Sequence, residues 1–179
     1  MMTKTLALRM AVIALTSSVA AMAAAQTLPE SVGITVGTLG NPFFVPLVMG
    51  AEDAVLAAAP DADVTVVSAD YDLNKQSSQI DSFIASGVTL LVLNAVESAA
   101  VGPATKRAKD AGMTVVAVDV TAAGADLAVR TDNTQAGRIT CDYLAKAIDG
   151  KGDFIIINGP PLSSNIHRLT GSKEALAAN

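Results

Sequence analysis

The chain alternates short apolar runs with stretches in which apolar residues recur at helical spacing. Four runs, at 32–36, 64–67, 88–93 and 113–118, predict strands that are buried on both faces of a sheet. The helical spacing is clearest after the first run, in Phe44, Leu47, Val48, Ala51, Val55 and Ala58. Because strands alternate with helices, the pattern predicts an α/β fold, a parallel-sheet lobe with helices on both faces.

The pattern changes after the fourth run. Residues 127–131 alternate as in a short exposed strand, and Asp132-Asn133-Thr134 offers an N-cap for a helix. The apolar stripe predicted for that helix consists of Ala136, Ile139, Tyr143, Leu144, Ala147 and Ile148. A further buried strand is predicted at 154–157 and a final helix at 168–178. We therefore expect one lobe over 26–131 and the beginning of a second α/β lobe over 132–179.

Residues 1–25 have the order of a secretory signal peptide. Lys4 and Arg9 form a basic region, an apolar stretch follows, and Ala23-Ala24-Ala25 fits a cleavage site for small residues. The mature chain is expected to begin at Gln26, with Ala24 as the second choice. The alternatives are an uncleaved anchor or a surface helix. The interpretation predicts export to the periplasm.

Charge and cysteine content narrow the class of partner. The formal charge is −5, and loss of the signal peptide removes two bases and gives −7. An acidic chain is a poor match for nucleic acid or for an anionic lipid surface. Cys141 is the only cysteine, so no intramolecular disulfide is possible, and inert packing is its expected role.

Polar and aromatic residues collect where the predicted strands end. Asn41, Phe43 and Phe44 follow the first strand, Asn94 ends the third and Asp119 ends the fourth. Ligands of open α/β sheets bind outside these carboxyl ends. Carboxylate and amide groups suit paired hydroxyls, and an aromatic face suits the C–H side of a sugar ring. Alternatively, Asn41 makes a turn, Phe44 is core, and Asn94 and Asp119 cap the following helices.

Catalytic and cofactor motifs are weak. His167 is the only histidine, so no His cluster can bind a metal, and Ser163 and Ser164 lack a nucleophile elbow. The loop that runs from Gly37 to Gly40 matches neither a dinucleotide nor a Walker-type phosphate motif. We expect no enzyme activity, no metal and no cofactor.

The residues at these strand ends resemble those of the ribose-type periplasmic binding proteins, the solute-binding components of sugar ABC transporters. The resemblance rests on the segments 37–44, 92–95, 116–119, 131–133, 136–137 and 168–171, in that order. It implies a periplasmic-binding-protein-like fold of two lobes, a bound sugar or polyol, a membrane permease as partner and a monomeric state.

Residue by residue, the resemblance implies that Asn41, Phe43, Phe44, Asn94 and Asp119 contact the sugar. It also implies that Asp132 and Asn133 lie at the first crossover, or hinge, and that Arg168 is structural.

Two departures from the family pattern concern the ligand. Val120 and Ile166 stand where the resemblance to the ribose binders implies arginines, so a pentose other than ribose, a hexose or a polyol is expected as the ligand. Family members are also about twice as long, so most of the second lobe is expected to be missing.

The alternatives are a small secreted α/β enzyme and a non-functional fragment of a binding protein. A repressor core of the same fold is disfavoured by the export signal.

Overall fold

The computed structural model describes residues 28–178, so the predicted signal peptide lies outside the described residues. Five parallel strands form one sheet in the order β2-β1-β3-β4-β5. Their bounds are β1 Ser31–Val36, β2 Asp63–Ser68, β3 Leu90–Leu93, β4 Thr114–Val118 and β5 Leu127–Val129. The parallel sheet and the exposed fifth strand are confirmed. Strand β2 lies on one side of β1, whereas β3 lies on the other, so the order of the strands reverses between β2 and β3. The topological switch point is therefore between β1 and β3.

Five helices complete the described part of the chain. Their bounds are α1 Phe44–Ala58, α2 Leu73–Ala85, α3 Gly102–Asp110, α4 Asn133–Ala147 and α5 Ser163–Ala178. Asp72 caps α2 by accepting from the backbone N–H groups of Asn74 and Lys75. Asp132 caps α4 through the N–H of Gln135, as its sequence predicts.

The two faces of the sheet carry separate apolar cores. On one face, Phe44 and Val48 of α1 pack with Ile34 of β1 and Val92 of β3. The larger core on the other face joins α2 and α3 to strands β3 and β4, and it includes the fully buried Leu91. Helices on both faces explain why these strands read as continuous apolar runs.

Helices α4 and α5 cross at two glycines. A Cβ atom at Gly137 would lie 2.0 Å from the carbonyl oxygen of Arg168, and one at Gly171 would lie 1.9 Å from that of Thr134. Only a residue without a side chain permits so close an approach of two helix backbones. Arg138 and Glu174 form an ion pair between the two helices.

The apolar stripe predicted for α4 is wrong about which face packs. The buried residues of α4 are Asn133, Gly137, Cys141 and Ala145, whereas Ile139 and Tyr143 are exposed. The prediction placed the larger apolar side chains on the packed face. In the structure, the close approach of α4 and α5 at Gly137 buries the face that carries the smaller side chains.

Two further predictions for this region are corrected. Residues 154–157 are irregular, not a buried strand, and Ile155 and Ile157 are 92% and 95% exposed. A strand needs a neighbour to pair with, and no strand within residues 28–178 pairs with this segment. The final helix begins at Ser163, five residues before the predicted start.

Candidate functional site

The side chains that end β3 and β4 are joined at the carboxyl edge of the sheet. The amide nitrogen of Asn94 donates to the backbone oxygen of Val118 at 3.2 Å and to a carboxylate oxygen of Asp119 at 3.3 Å. Its amide oxygen accepts from the N–H of Gly37, beyond β1, at 3.1 Å. Asn94 is 3% exposed and links the ends of three strands. The capping alternative for Asn94 is wrong, because the N-cap of α3 is Val101.

Asp119 stands in an uncommon backbone conformation. Its φ is 66°, a region that Asp and Asn tolerate better than most residues, and its N–H donates to the oxygen of Val129. Burial raises the pKa of its carboxyl above the ordinary 3.8, while the hydrogen bond from Asn94 and the charge of Arg168 lower it in part. Asp119 is partly exposed, and its carboxylate keeps acceptor capacity for a ligand.

A buried glutamine of α2 makes hydrogen bonds to the turn that follows β3. Gln76 is fully buried, and its amide nitrogen donates to the backbone oxygen of Asn94 at 2.9 Å. Its amide oxygen accepts from the N–H of Val96 at 2.9 Å, so both backbone groups of the turn after β3 are held. This turn carries Asn94, and Gln76 therefore fixes the position of that side chain.

The loop after β1 separates its two phenylalanines. Phe44 is 7% exposed and belongs to the apolar core, whereas Phe43 is 53% exposed. Their ring centroids are 5.2 Å apart in an edge-to-face arrangement. The Asn41 side chain accepts from the N–H of Phe43 at 3.0 Å and is exposed, which is the turn role considered as its alternative.

A cavity of about 430 Å³ opens at the carboxyl edge. Phe44, Asn94 and Asp119 line it, and Asn41 and Phe43 do not. The full lining is Gly37, Phe44, Tyr71, Asn94, Ala95, Val96, Asp119, Pro160, Leu162 and Asn165. Phe43 and Asp119 instead share a neighbouring depression of about 450 Å³ with Arg130. Asp119 borders both spaces.

One wall of the cavity comes from the segment that leads into α5. Ser163 ties this segment to the sheet edge, because its hydroxyl accepts from the N–H of Thr121 at 2.9 Å and its own N–H donates to the hydroxyl of Ser98 at 3.2 Å. Pro160, Leu162 and Asn165 therefore face the groups at the strand ends.

The two residues predicted to lie at the hinge are placed between the sheet and α5. Asp132 caps α4, and the buried Asn133 donates to the backbone oxygen of Thr131 and accepts from Nε of Arg168 at 2.8 Å. Arg168 thereby holds the entry to α4, in line with the structural role that the family resemblance implies for it.

Sequence reasoning missed two residues at this edge. Tyr71 lines the cavity, and the only signal was its position after β2. Gln76 gave no signal, since a polar residue in a helix is usually exposed.

Residues 28–178 hold neither a cluster of metal-ligating side chains nor a helix of membrane-spanning length. They contain no group of three or more His, Cys, Asp or Glu side chains placed to hold a metal ion. No helix in this range is long and apolar enough to cross a membrane.

A family model described as a periplasmic binding protein domain matches residues 32–179. The chain therefore belongs to that family, and its five-stranded parallel sheet is one lobe of the family fold. The two positions where the family resemblance implies arginine differ in setting here. Val120 is buried in the larger core, whereas Ile166 is half exposed on α5.

Similar proteins include binders of several sugars and polyols. The chain is 34% identical to the ribose import binding protein of Bacillus subtilis over 124 residues, 68% of this chain and 40% of that one. It is 33% identical to a xylitol-binding protein of Mycolicibacterium smegmatis over 124 residues, 68% and 36% of the two chains. The crystal structure of the Caulobacter myo-inositol binding protein with myo-inositol has a TM-score of 0.74 and 28% identity, covering 83% and 51%. The chain thus spans about half or less of these relatives.

Proposed function

We propose that this protein is a solute-binding component of a sugar or polyol ABC transporter and that it is not an enzyme. The observation that carries the proposal is the joined pair of Asn94 and Asp119 beside Phe44 in one cavity. Amide and carboxylate groups there meet the hydroxyls of a ligand, and the phenylalanine ring meets its C–H groups. Phe43 and Asn41 are proposed to complete the contacts from the loop after β1.

The ligand is proposed to be uncharged. Asp119 is the only charged residue among those that line the cavity, and its carboxyl is partly desolvated. An anionic sugar acid would face this carboxylate without an opposing cation in the lining, so like-charge repulsion disfavours it. With Val120 and Ile166 at the two positions named above, a pentose other than ribose, a hexose or a polyol is preferred.

We also propose where the chain acts, what it delivers its ligand to and how it divides into lobes. The chain is proposed to be exported to the periplasm, cleaved near Ala25, and to act as a monomer that delivers its ligand to a membrane permease. Residues 26–131 would form the N-terminal lobe and 132–179 the beginning of a second lobe. Asp132 and Asn133 would lie at the hinge between them.

Direct binding tests the proposal. The exported chain is titrated with ribose, myo-inositol and xylitol and observed by ligand-detected NMR up to about ten millimolar, since a complex of about −4 kcal/mol dissociates near 1 mM. Glucuronate serves as the anionic control. Saturable binding of a neutral probe, and none of glucuronate, supports the proposal. Absence of binding by every neutral probe, or preference for glucuronate, would overturn it.

A further inference from the structure

Tyr71 lies at the rim of the cavity in a backbone conformation that few residues adopt. Asp70 and Tyr71 have φ values of 53° and 58°, two consecutive residues in the left-handed region. The N–H of Tyr71 donates to the oxygen of Gly37 at 2.8 Å. The carboxylate of Asp70 accepts from the hydroxyl of Ser68 at 2.6 Å and from Nζ of Lys75 at 2.5 Å. These contacts fix the direction in which the chain leaves β2.

The tyrosine ring packs directly over a glycine. A Cβ atom at Gly37 would lie 2.9 Å from Cε1 of Tyr71 and 3.3 Å from Oδ1 of Asn94. Tyr71 and Asn94 therefore flank the same glycine, and the ring approaches the Asn94–Asp119 pair only because position 37 has no side chain.

The ring is open to a ligand. It is 53% exposed although it lines the cavity, and its hydroxyl makes no hydrogen bond within residues 28–178. Phe44 lines the same cavity as a second aromatic group, largely buried. The cavity thus offers two aromatic side chains, one supported by the core and one at the rim.

We infer that Tyr71 is a specificity-determining residue that makes this site prefer a ring-shaped sugar or cyclitol over an open-chain polyol. The inference rests on the proposed function. A closed ring presents C–H groups on a fixed apolar face that an aromatic ring can cover. An open-chain polyol has no such fixed face and loses more rotational freedom when it binds.

The test compares two probes in four proteins. The exported chain and its Tyr71→Ala, Tyr71→Phe and Tyr143→Phe variants are titrated with myo-inositol and with xylitol. We expect Tyr71→Ala to weaken myo-inositol binding about tenfold, equivalent to about 1.4 kcal/mol, and xylitol binding much less. Tyr71→Phe should keep the preference for the ring. Tyr143→Phe changes an exposed side chain of α4 outside the cavity, so it is the matched control and should bind as the parent does.

A spectroscopic measurement does not depend on the stability of the alanine variant. The sequence has no tryptophan and only two tyrosines, so Tyr143→Phe leaves Tyr71 as the only tyrosine. Saturation with myo-inositol should change its fluorescence with the dissociation constant seen by NMR. The inference is overturned if the emission is unchanged at saturation, or if Tyr71→Ala weakens both probes equally or neither. If the parent chain binds no neutral probe, the proposed function itself fails.

Discussion

The side-chain amide of Asn94 donates to the carboxylate of Asp119, so the ends of β3 and β4 present one joined polar unit. The same amide group accepts from Gly37 beyond β1. A single buried residue therefore sets the spacing of three strand ends at the cavity.

Replacing Asn94 should destabilise the fold. Asn94→Ala removes the acceptor of the buried Gly37 N–H and the donor to Val118, and an unsatisfied buried group costs about 1–3 kcal/mol. Urea unfolding monitored by circular dichroism measures the change. Asn41→Ala is the control, because Asn41 is exposed and its side chain makes one hydrogen bond, which it accepts from the N–H of Phe43 within the same turn. Equal losses from the two substitutions would mean that the strand-end network is not a source of stability.

The pH dependence of stability should report the desolvated carboxyl of Asp119. Burial raises its pKa in the folded chain, so the folded state binds this proton more tightly than the unfolded state does. Its contribution to the free energy of unfolding therefore falls as pH rises from below 3.8 through the raised value. At pH 7 without ligand, Asp119→Asn should be more stable than the parent.

Measurements at low pH provide the control for Asp119→Asn. Asparagine tolerates the positive φ of this position and carries no charge. The difference between variant and parent, measured by urea unfolding, should narrow as the pH approaches 3.8. A parent more stable than the variant at pH 7 would contradict the direction of the pKa change.

Alanine should destabilise the protein at Gly137, where α4 and α5 cross, and should stabilise it at Gly50, which lies in α1 away from that crossing. Gly137→Ala places a Cβ atom 2.0 Å from the carbonyl oxygen of Arg168, and we expect a loss of about 1–3 kcal/mol or more. Gly50→Ala in α1 meets no atom within 4 Å and should gain up to about 1 kcal/mol from helix propensity. Thermal unfolding compares them. Tolerance of alanine at 137 would show that the two helices do not cross this closely.

Export predicts a particular first residue. Mass spectrometry of the periplasmic chain should find Gln26 at the N-terminus, because Ala23 and Ala25 are the small residues in the third and first positions before the cut. An Ala25→Leu variant should shift cleavage toward Ala24, which follows the second acceptable site. An intact Met1 in the periplasmic fraction would refute the signal-peptide interpretation.

The sequence predicted the sheet well because its central strands are buried on both faces and so read as unbroken apolar runs. It also placed Asn94 and Asp119 at strand ends, which in a parallel sheet meet at one edge. It did not predict Gln76, whose hydrogen-bond partners in Thr35, Asn94 and Val96 lie 18 or more residues away in the chain. It was wrong about 154–157, since apolar content alone cannot supply a neighbouring strand, and about the packed face of α4, which glycine contact decides.

Asp119 is the most direct test of the proposed site, and His167 provides the comparison. Asp119 borders the cavity, whereas His167 borders a separate depression beside Arg130 and Asp132. Loss of a hydrogen bond to a charged acceptor costs about 1.5–3 kcal/mol, or about tenfold to a hundredfold in dissociation constant. For the neutral probe that binds best, Asp119→Ala should weaken binding by that factor and His167→Ala should leave it unchanged. Equal effects from the two substitutions would show that the ligand does not bind at this edge of the sheet.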